Sequence, residues 1–136
     1  MKMLTLITLI LCSAALTALA AGIDGKWTRE MQVGDADGKT YTHQTVLNLK
    51  SDGGVLTGTV VQTSAAPWMK ELTGRPIEIT DGKLDGDKFS FKLKIENQQG
   101  ERISVYEGTL QGDRLSGTVK FRGIGITQPF EAERLK

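Results

Sequence analysis

The chain offers one histidine, His43, as its only side chain suited to exchange a proton near neutral pH. A general base of that kind needs a serine or cysteine motif beside it, or a second histidine if a metal is to be held. Neither accompanies His43 in the sequence. A lone inward histidine on a strand reads first as a hydrogen-bonded wall residue. A hydrolase or isomerase using His43 as acid–base is the alternative. Asp35, Asp37 and Gly38 begin like a calcium loop, but no glutamate stands where such a loop needs its bidentate ligand. A hairpin turn is the simpler reading, as it is for Asp85 and Asp87, since aspartate is a turn former. No metal site, no cofactor and no catalytic residue is expected. Arg29 shares parity with Trp27 and Met31, so it points inward, toward a ligand carboxylate, an interior acid or the rim.

The first twenty residues carry transport information. Lys2 is followed by Met3 to Leu11, apolar except for Thr5 and Thr8. Ala18-Leu19-Ala20 then fits the small-x-small pattern cut by a signal peptidase, which places the leader at 1–20 and one domain at 21–136. The apolar run is short for a membrane span. The single cysteine, Cys12, lies in the leader behind Leu11, where a lipoprotein signal needs a small residue. Cleavage after residue 20 of the 136 leaves 116 residues without cysteine, so an exported domain, periplasmic or secreted, must hold together by its core alone. Loss of Lys2 leaves sixteen basic residues against sixteen acidic ones, interspersed and without a basic stripe. Nucleic-acid binding and electrostatic membrane binding lack their usual footprint.

With 16 glycines and 3 prolines, the chain reads as short alternating runs cut by Gly and Asp, the pattern of an all-β barrel or sandwich. Eight strands are predicted, at roughly 24–33, 40–50, 55–63, 75–85, 88–97, 102–111, 114–122 and 127–135. Gly82 to Ser90 matches Gly108 to Ser116, and Asp52 to Val60 matches the later half of the same unit. Each unit is a β-hairpin, with Gly86-Asp87 and Gly112-Asp113 as two-residue turns whose first glycine takes positive φ. Such turns set Leu84 opposite Phe89 and Leu110 opposite Leu115. Successive hairpins make an up-and-down meander, and closure into an antiparallel barrel removes exposed edges.

In that meander the tight glycine turns gather at one end with the large inward residues Leu49, Leu56, Leu84, Phe89, Leu110 and Leu115, a packed floor. Trp27 and Arg134 fall at the same end. Gly25-Lys26-Trp27 with a late basic residue resembles the calycin pattern of lipocalins, fatty-acid-binding proteins and avidins. The resemblance implies that Trp27 closes the floor and that Arg134 packs across it. Leu56-Thr57-Gly58-Thr59 and Leu72-Thr73-Gly74-Arg75 look like the Leu-Thr-Gly turns of avidins. Biotin chemistry does not carry over, because Thr28-Arg29-Glu30-Met31 lacks the donors of that family and two tryptophans are too few for its cage. The chain also resembles small secreted bacterial proteins with a repeated dGxLxGt pattern, a likeness that implies no activity.

Inward Gly58, Gly108 and Gly117 imply either tightly coiled strands or a cavity. Toward the far end, Tyr41, His43, Thr45, Gln62 and Tyr106 take inward parity. The longest connection, Ser64 to Gly74, contains Pro67-Trp68-Met69-Lys70-Glu71-Leu72, which suits one helical turn with Trp68 above Leu72. That segment is a lid or a permanent plug, and the habit of small barrels to fill themselves favours the plug. The leading expectation for function is a non-enzymatic module taking a small apolar or amphipathic molecule, or a protein segment, at Tyr41, His43, Gln62, Trp68, Met69, Leu72, Tyr106 and Arg29. A filled barrel presenting outward Val46, Val61, Ile103 and Val105 to an envelope partner is the structural alternative.

Overall fold

The computed structural model of the chain describes residues 22–97, 100–123 and 125–135. The expected leader, with Cys12 and the cleavage site before Ala21, lies outside the described residues. Eight antiparallel strands follow one another: β1 (Gly25–Gly34), β2 (Thr40–Asp52), β3 (Val55–Thr63), β4 (Pro76–Asp85), β5 (Lys88–Asn97), β6 (Gly100–Gln111), β7 (Arg114–Phe121) and β8 (Ile126–Arg134). They pair in chain order and close β8 on β1, an up-and-down barrel. The strand limits agree with the expected ones to within about two residues, the uncertainty normal for element ends. No helix among the described residues is long and apolar enough to cross a membrane.

The glycine turns set the register. Gly86 and Gly112 have φ of 61° and 62° while the aspartates after them do not enter the left-handed region, as a turn with glycine first requires. Leu84 accordingly pairs with Phe89, and Leu110 with Leu115. One irregularity interrupts the alternation. Between Thr80 and Lys83 the β4–β5 register shifts at a bulge, with Asp81 at φ 51°. Ile77 and Ile79 therefore face inward before the bulge, and Gly82 and Leu84 after it. Leu56–Thr59, expected to resemble a turn, instead lies inside β3; the turn precedes it at Gly53-Gly54.

The core occupies the tight-turn end. Trp27, Leu47, Leu49, Leu56, Phe89, Phe91, Leu115 and Ala132 are fully buried there. Gly108 and Gly117 face each other across β6 and β7, and a Cβ on Gly117 would meet the Glu107 carbonyl oxygen at 1.9 Å. Of the two meanings open to these inward glycines, close strand approach is the one realised. Ile23 adds a plug that the strand pattern did not reveal: it precedes β1, is fully buried, and accepts a hydrogen bond from Trp27 Nε1 at 2.9 Å.

Arg134 fastens this end. Its guanidinium lies 4.3 Å from the Trp27 ring centre. Nε donates to Asp113 Oδ1 at 2.9 Å, Nη1 to the Asp24 carbonyl at 3.0 Å and Nη2 to the Gly22 carbonyl at 2.7 Å. One side chain thus ties the segment before β1 to the β6–β7 turn. The outward valines do not make one patch. Val46 pairs with Val61 on β2 and β3, whereas Ile103 and Val105 lie on β6, separated from β3 by β4 and β5.

Candidate functional site

Inward positions change character above the core. Phe91 stacks on Tyr106 with ring centres 4.7 Å apart, and Tyr106 meets the Phe130 ring edge-on at 5.2 Å. This aromatic tier is the boundary between the filled floor and a cavity of about 270 Å³. The barrel interior is therefore not completely filled by side chains: a cavity remains beneath the Ser64–Gly74 segment. The apolar walls include Met31, Leu93, Ile95, Val119, Phe121 and Phe130, and Met69 and Leu72 come in from the loop above.

The loop is anchored by polar contacts to β2 and β3. Pro67–Met69 forms a 3-10 turn, with proline in its first turn. Met69 N–H donates to the Ala66 carbonyl and Thr73 N–H to the Met69 carbonyl, and Gly74 N–H donates to the Gln62 carbonyl at 2.8 Å. The turn sends Met69, not Trp68, inward. Trp68 stays 52% exposed and caps the rim from outside, its ring edge-on to Tyr41 at 5.4 Å and to His43 at 6.2 Å. The expected helical turn with Trp68 above Leu72 is a one-turn 3-10 segment instead, and Trp68 makes a rim contact with Tyr41 and His43.

His43 has a serine partner that sequence distance concealed. Its Nδ1 lies 2.5 Å from Ser64 Oγ, 21 positions along the chain. Ser64 Oγ also accepts the Ala66 N–H at 3.1 Å, and Ser64 N–H donates to Thr73 Oγ1 at 3.0 Å. Burial holds the His43 imidazole below its ordinary value, and the ring tautomer decides whether Nδ1 donates to Ser64 Oγ or accepts its hydroxyl proton. Among the described residues no carboxylate orients the ring, and Ser64 does not line the cavity. The pair secures the lid loop and is poorly placed for nucleophilic attack on a cavity-bound molecule.

The remaining polar lining is Thr45, Gln62, Ser104, Tyr106 and Gln128, with Arg29, Arg102 and Arg122 as the charged members and no aspartate or glutamate. Tyr106 is largely buried, and burial pushes its phenol up, with Arg29 opposing the shift. Among the described residues no hydrogen bond occupies the Tyr106 hydroxyl, the Gln62 amide or the Ser104 hydroxyl. Arg29 does not reach into the cavity centre. Its Nη2 donates to the Pro129 carbonyl at 3.1 Å and its guanidinium lies 5.3 Å from the Phe130 ring centre.

Of the residues singled out from the sequence, His43, Gln62, Met69, Leu72, Tyr106 and Arg29 converge on the cavity, while Tyr41 and Trp68 stand on its outer rim. Tyr41 is drawn away by Asp35, whose Oδ2 accepts its hydroxyl at 3.3 Å. Asp35 Oδ1 accepts the backbone N–H groups of Asp37 and Lys39, the hairpin clasp expected in place of a calcium loop. Among the described residues no cluster of metal-ligating side chains occurs. Sequence reading missed Ser104, Gln128 and Phe130; counting back from Arg134 in twos finds the last two. No protein-family model matches the chain, and comparisons with curated proteins and with solved structures found no match.

Proposed function

We propose that the protein is an exported, calycin-like binding module, periplasmic or secreted, which holds one small apolar or amphipathic molecule inside the barrel. The export part rests on Lys2, the apolar run 3–11 and Ala18-Leu19-Ala20. The calycin likeness rests on Trp27 at the floor with Arg134 across it in an eight-stranded meander. The observation that carries the binding role is the cavity between the Tyr106–Phe130 tier and Met69–Leu72, apolar on its walls yet provided with uncommitted polar groups. A volume of about 270 Å³ is just below the usual range of ligand clefts, which starts near 300 Å³, so the guest is a single ring or a short chain. Its polar end accepts hydrogen bonds, since the charged lining is all arginine.

Titration with a small single-ring environment-sensitive dye, displaced by saturated fatty acids of increasing length, tests this reading. The protein binds the probe, and short chains displace it best. Ser104→Leu projects a larger side chain into the cavity and weakens binding by about tenfold or more, with the denaturant midpoint held. A folded protein that takes up no probe, or a Ser104→Leu variant that binds equally well, overturns the proposal.

A further inference from the structure

The barrel's closure is uneven. Strands β1 and β2 pair over ten positions, from Gly25↔Leu49 to Gly34↔Thr40, whereas β1 and β8 pair only at Trp27↔Arg134 and Thr28↔Glu133. Beyond Thr28 the two strands part toward the mouth. The Lys26 carbonyl accepts the Leu135 N–H across this seam at 2.8 Å, so Lys26 turns its backbone toward β8. Alternation then turns the N–H and C=O groups of Glu30 and Gln32 the same way, into the gap. On the opposite bank Pro129 has no N–H to offer, the usual blunting of a sheet edge, and its carbonyl is taken by Arg29. β8 is blunted at Pro129, and the groups of Glu30 and Gln32 on β1 have no strand partner across the gap.

A groove of about 490 Å³ lies over this gap, lined by Thr28, Arg29, Glu30, Arg114, Glu131 and Glu133 among others. Thr28 Oγ1, at its head, is a buried side-chain oxygen without a hydrogen-bond partner. Glu133 is paired with Arg114 at 3.3 Å, but Glu30 and Glu131 have no ion pair among the described residues. They flank the gap on its outer side. On the inner side, Met31 and Phe130 flank it.

We infer that the open edge of β1 at Glu30–Gln32 is a docking site for an extended peptide segment in which basic and apolar residues alternate. The segment adds as a strand to β1, its backbone satisfying the Glu30 and Gln32 groups. Strand periodicity then divides its side chains. Those level with Glu30 lie between Glu30 and Glu131 and are basic; those level with Met31 turn toward Met31 and Phe130 and are apolar. Arg29 occupies the gap in the free protein and swings out when the segment arrives.

Amide exchange on 15N-labelled protein tests the inference, with a blocked Lys-Val-Lys-Val-Lys peptide and its Glu-Val-Glu-Val-Glu counterpart. The lysine peptide slows exchange of the Glu30 and Gln32 amides by about tenfold or more, and the glutamate peptide does not. Arg29→Ala tightens binding by removing the competing side chain. Glu30→Pro removes an edge donor that the β2 ladder does not use and abolishes binding; Glu30→Lys with Glu131→Lys, both at exposed positions, reverses the peptide preference. Absence of binding overturns the inference. So does lysine-peptide binding that leaves the two amides unprotected, which is charge attraction alone, and so does protection that appears without peptide as the protein self-associates, which makes a second copy the occupant.

Discussion

The two ends of the barrel are built from the same hairpins and the same alternation, yet one is a solid and the other a vessel. At the floor, facing glycines let β6 and β7 approach closely, and large apolar residues from every strand meet over Trp27. Toward the mouth the inward positions carry Thr45, Gln62, Ser104 and Gln128, whose polar ends interdigitate poorly, and β1 and β8 separate. The void is a product of that change in side-chain chemistry, not of any change in strand order. Stability is therefore concentrated at one end and uncommitted binding capacity at the other, a division expected where recognition draws on the less tightly packed part of a fold.

The two tryptophans give the widest test of this division. Trp27 is fully buried, hydrogen-bonded to Ile23 and covered by Arg134. Trp27→Ala removes the floor and costs about 3–5 kcal/mol. Trp68 is 52% exposed, with its ring edge-on to the rim rings of Tyr41 and His43. Trp68→Ala costs under about 1 kcal/mol, since exposed positions with few contacts change stability little. Denaturant midpoints of the two variants decide it; equal losses would abolish the contrast between floor and mouth.

A smaller effect is expected from the glycine pair. Gly117→Ala drives a methyl group against the Glu107 carbonyl and the Gly108 Cα, and the strands must part. Overpacking of this kind costs roughly 1–3 kcal/mol. The same change at Gly38, in the β1–β2 turn, meets no atom within 4 Å and is limited to the strain of its positive φ, 81°. Chemical denaturation of both variants separates crowding from strain: if Gly38→Ala proves the worse of the two, close strand approach is not what glycine secures at Gly117.

The fold was legible because its signals are local. Gly86-Asp87 and Gly112-Asp113 fix two hairpins, and parity carried outward from Leu84, Phe89, Leu110 and Leu115 places most inward residues. Parity failed where it is broken locally, at the Asp81 bulge, and where no strand exists to carry it, in the Ser64–Gly74 loop. That is why the sequence could not separate Trp68, which stays at the rim, from Met69, which turns inward. The His43–Ser64 contact joins β2 to a loop 21 residues on, and no short-range pattern reports a pairing of that kind. The split between β1 and β8 was equally hidden: a meander requires that the last strand meet the first, but says nothing of how far along they stay together.

The smallest expected effect concerns the tie between mouth and loop, and it depends on pH. His43 has a folded-state value below its ordinary 6.5, caused by burial. The unfolded chain therefore binds the proton more readily than the folded one. Stability from this group is complete above about pH 6.5 and is lost as pH falls from there toward the folded value. The structural reason is that the ring is partly buried beside Ser64, whose oxygen is already engaged by the Ala66 N–H, and a charged imidazole there loses hydration. A protonated ring is a donor on both nitrogens, so Ser64 Oγ must then accept from Nδ1. His43→Gln keeps a hydrogen-bonding side chain but cannot titrate. The native protein should lose stability relative to this variant between pH 7 and pH 5, while Trp27 and the floor respond alike in both. Midpoints that run parallel for the two proteins across that interval would mean that the protonation of His43 does not matter to the fold, and that the loop bearing Met69 and Leu72 is held by its other hydrogen bonds.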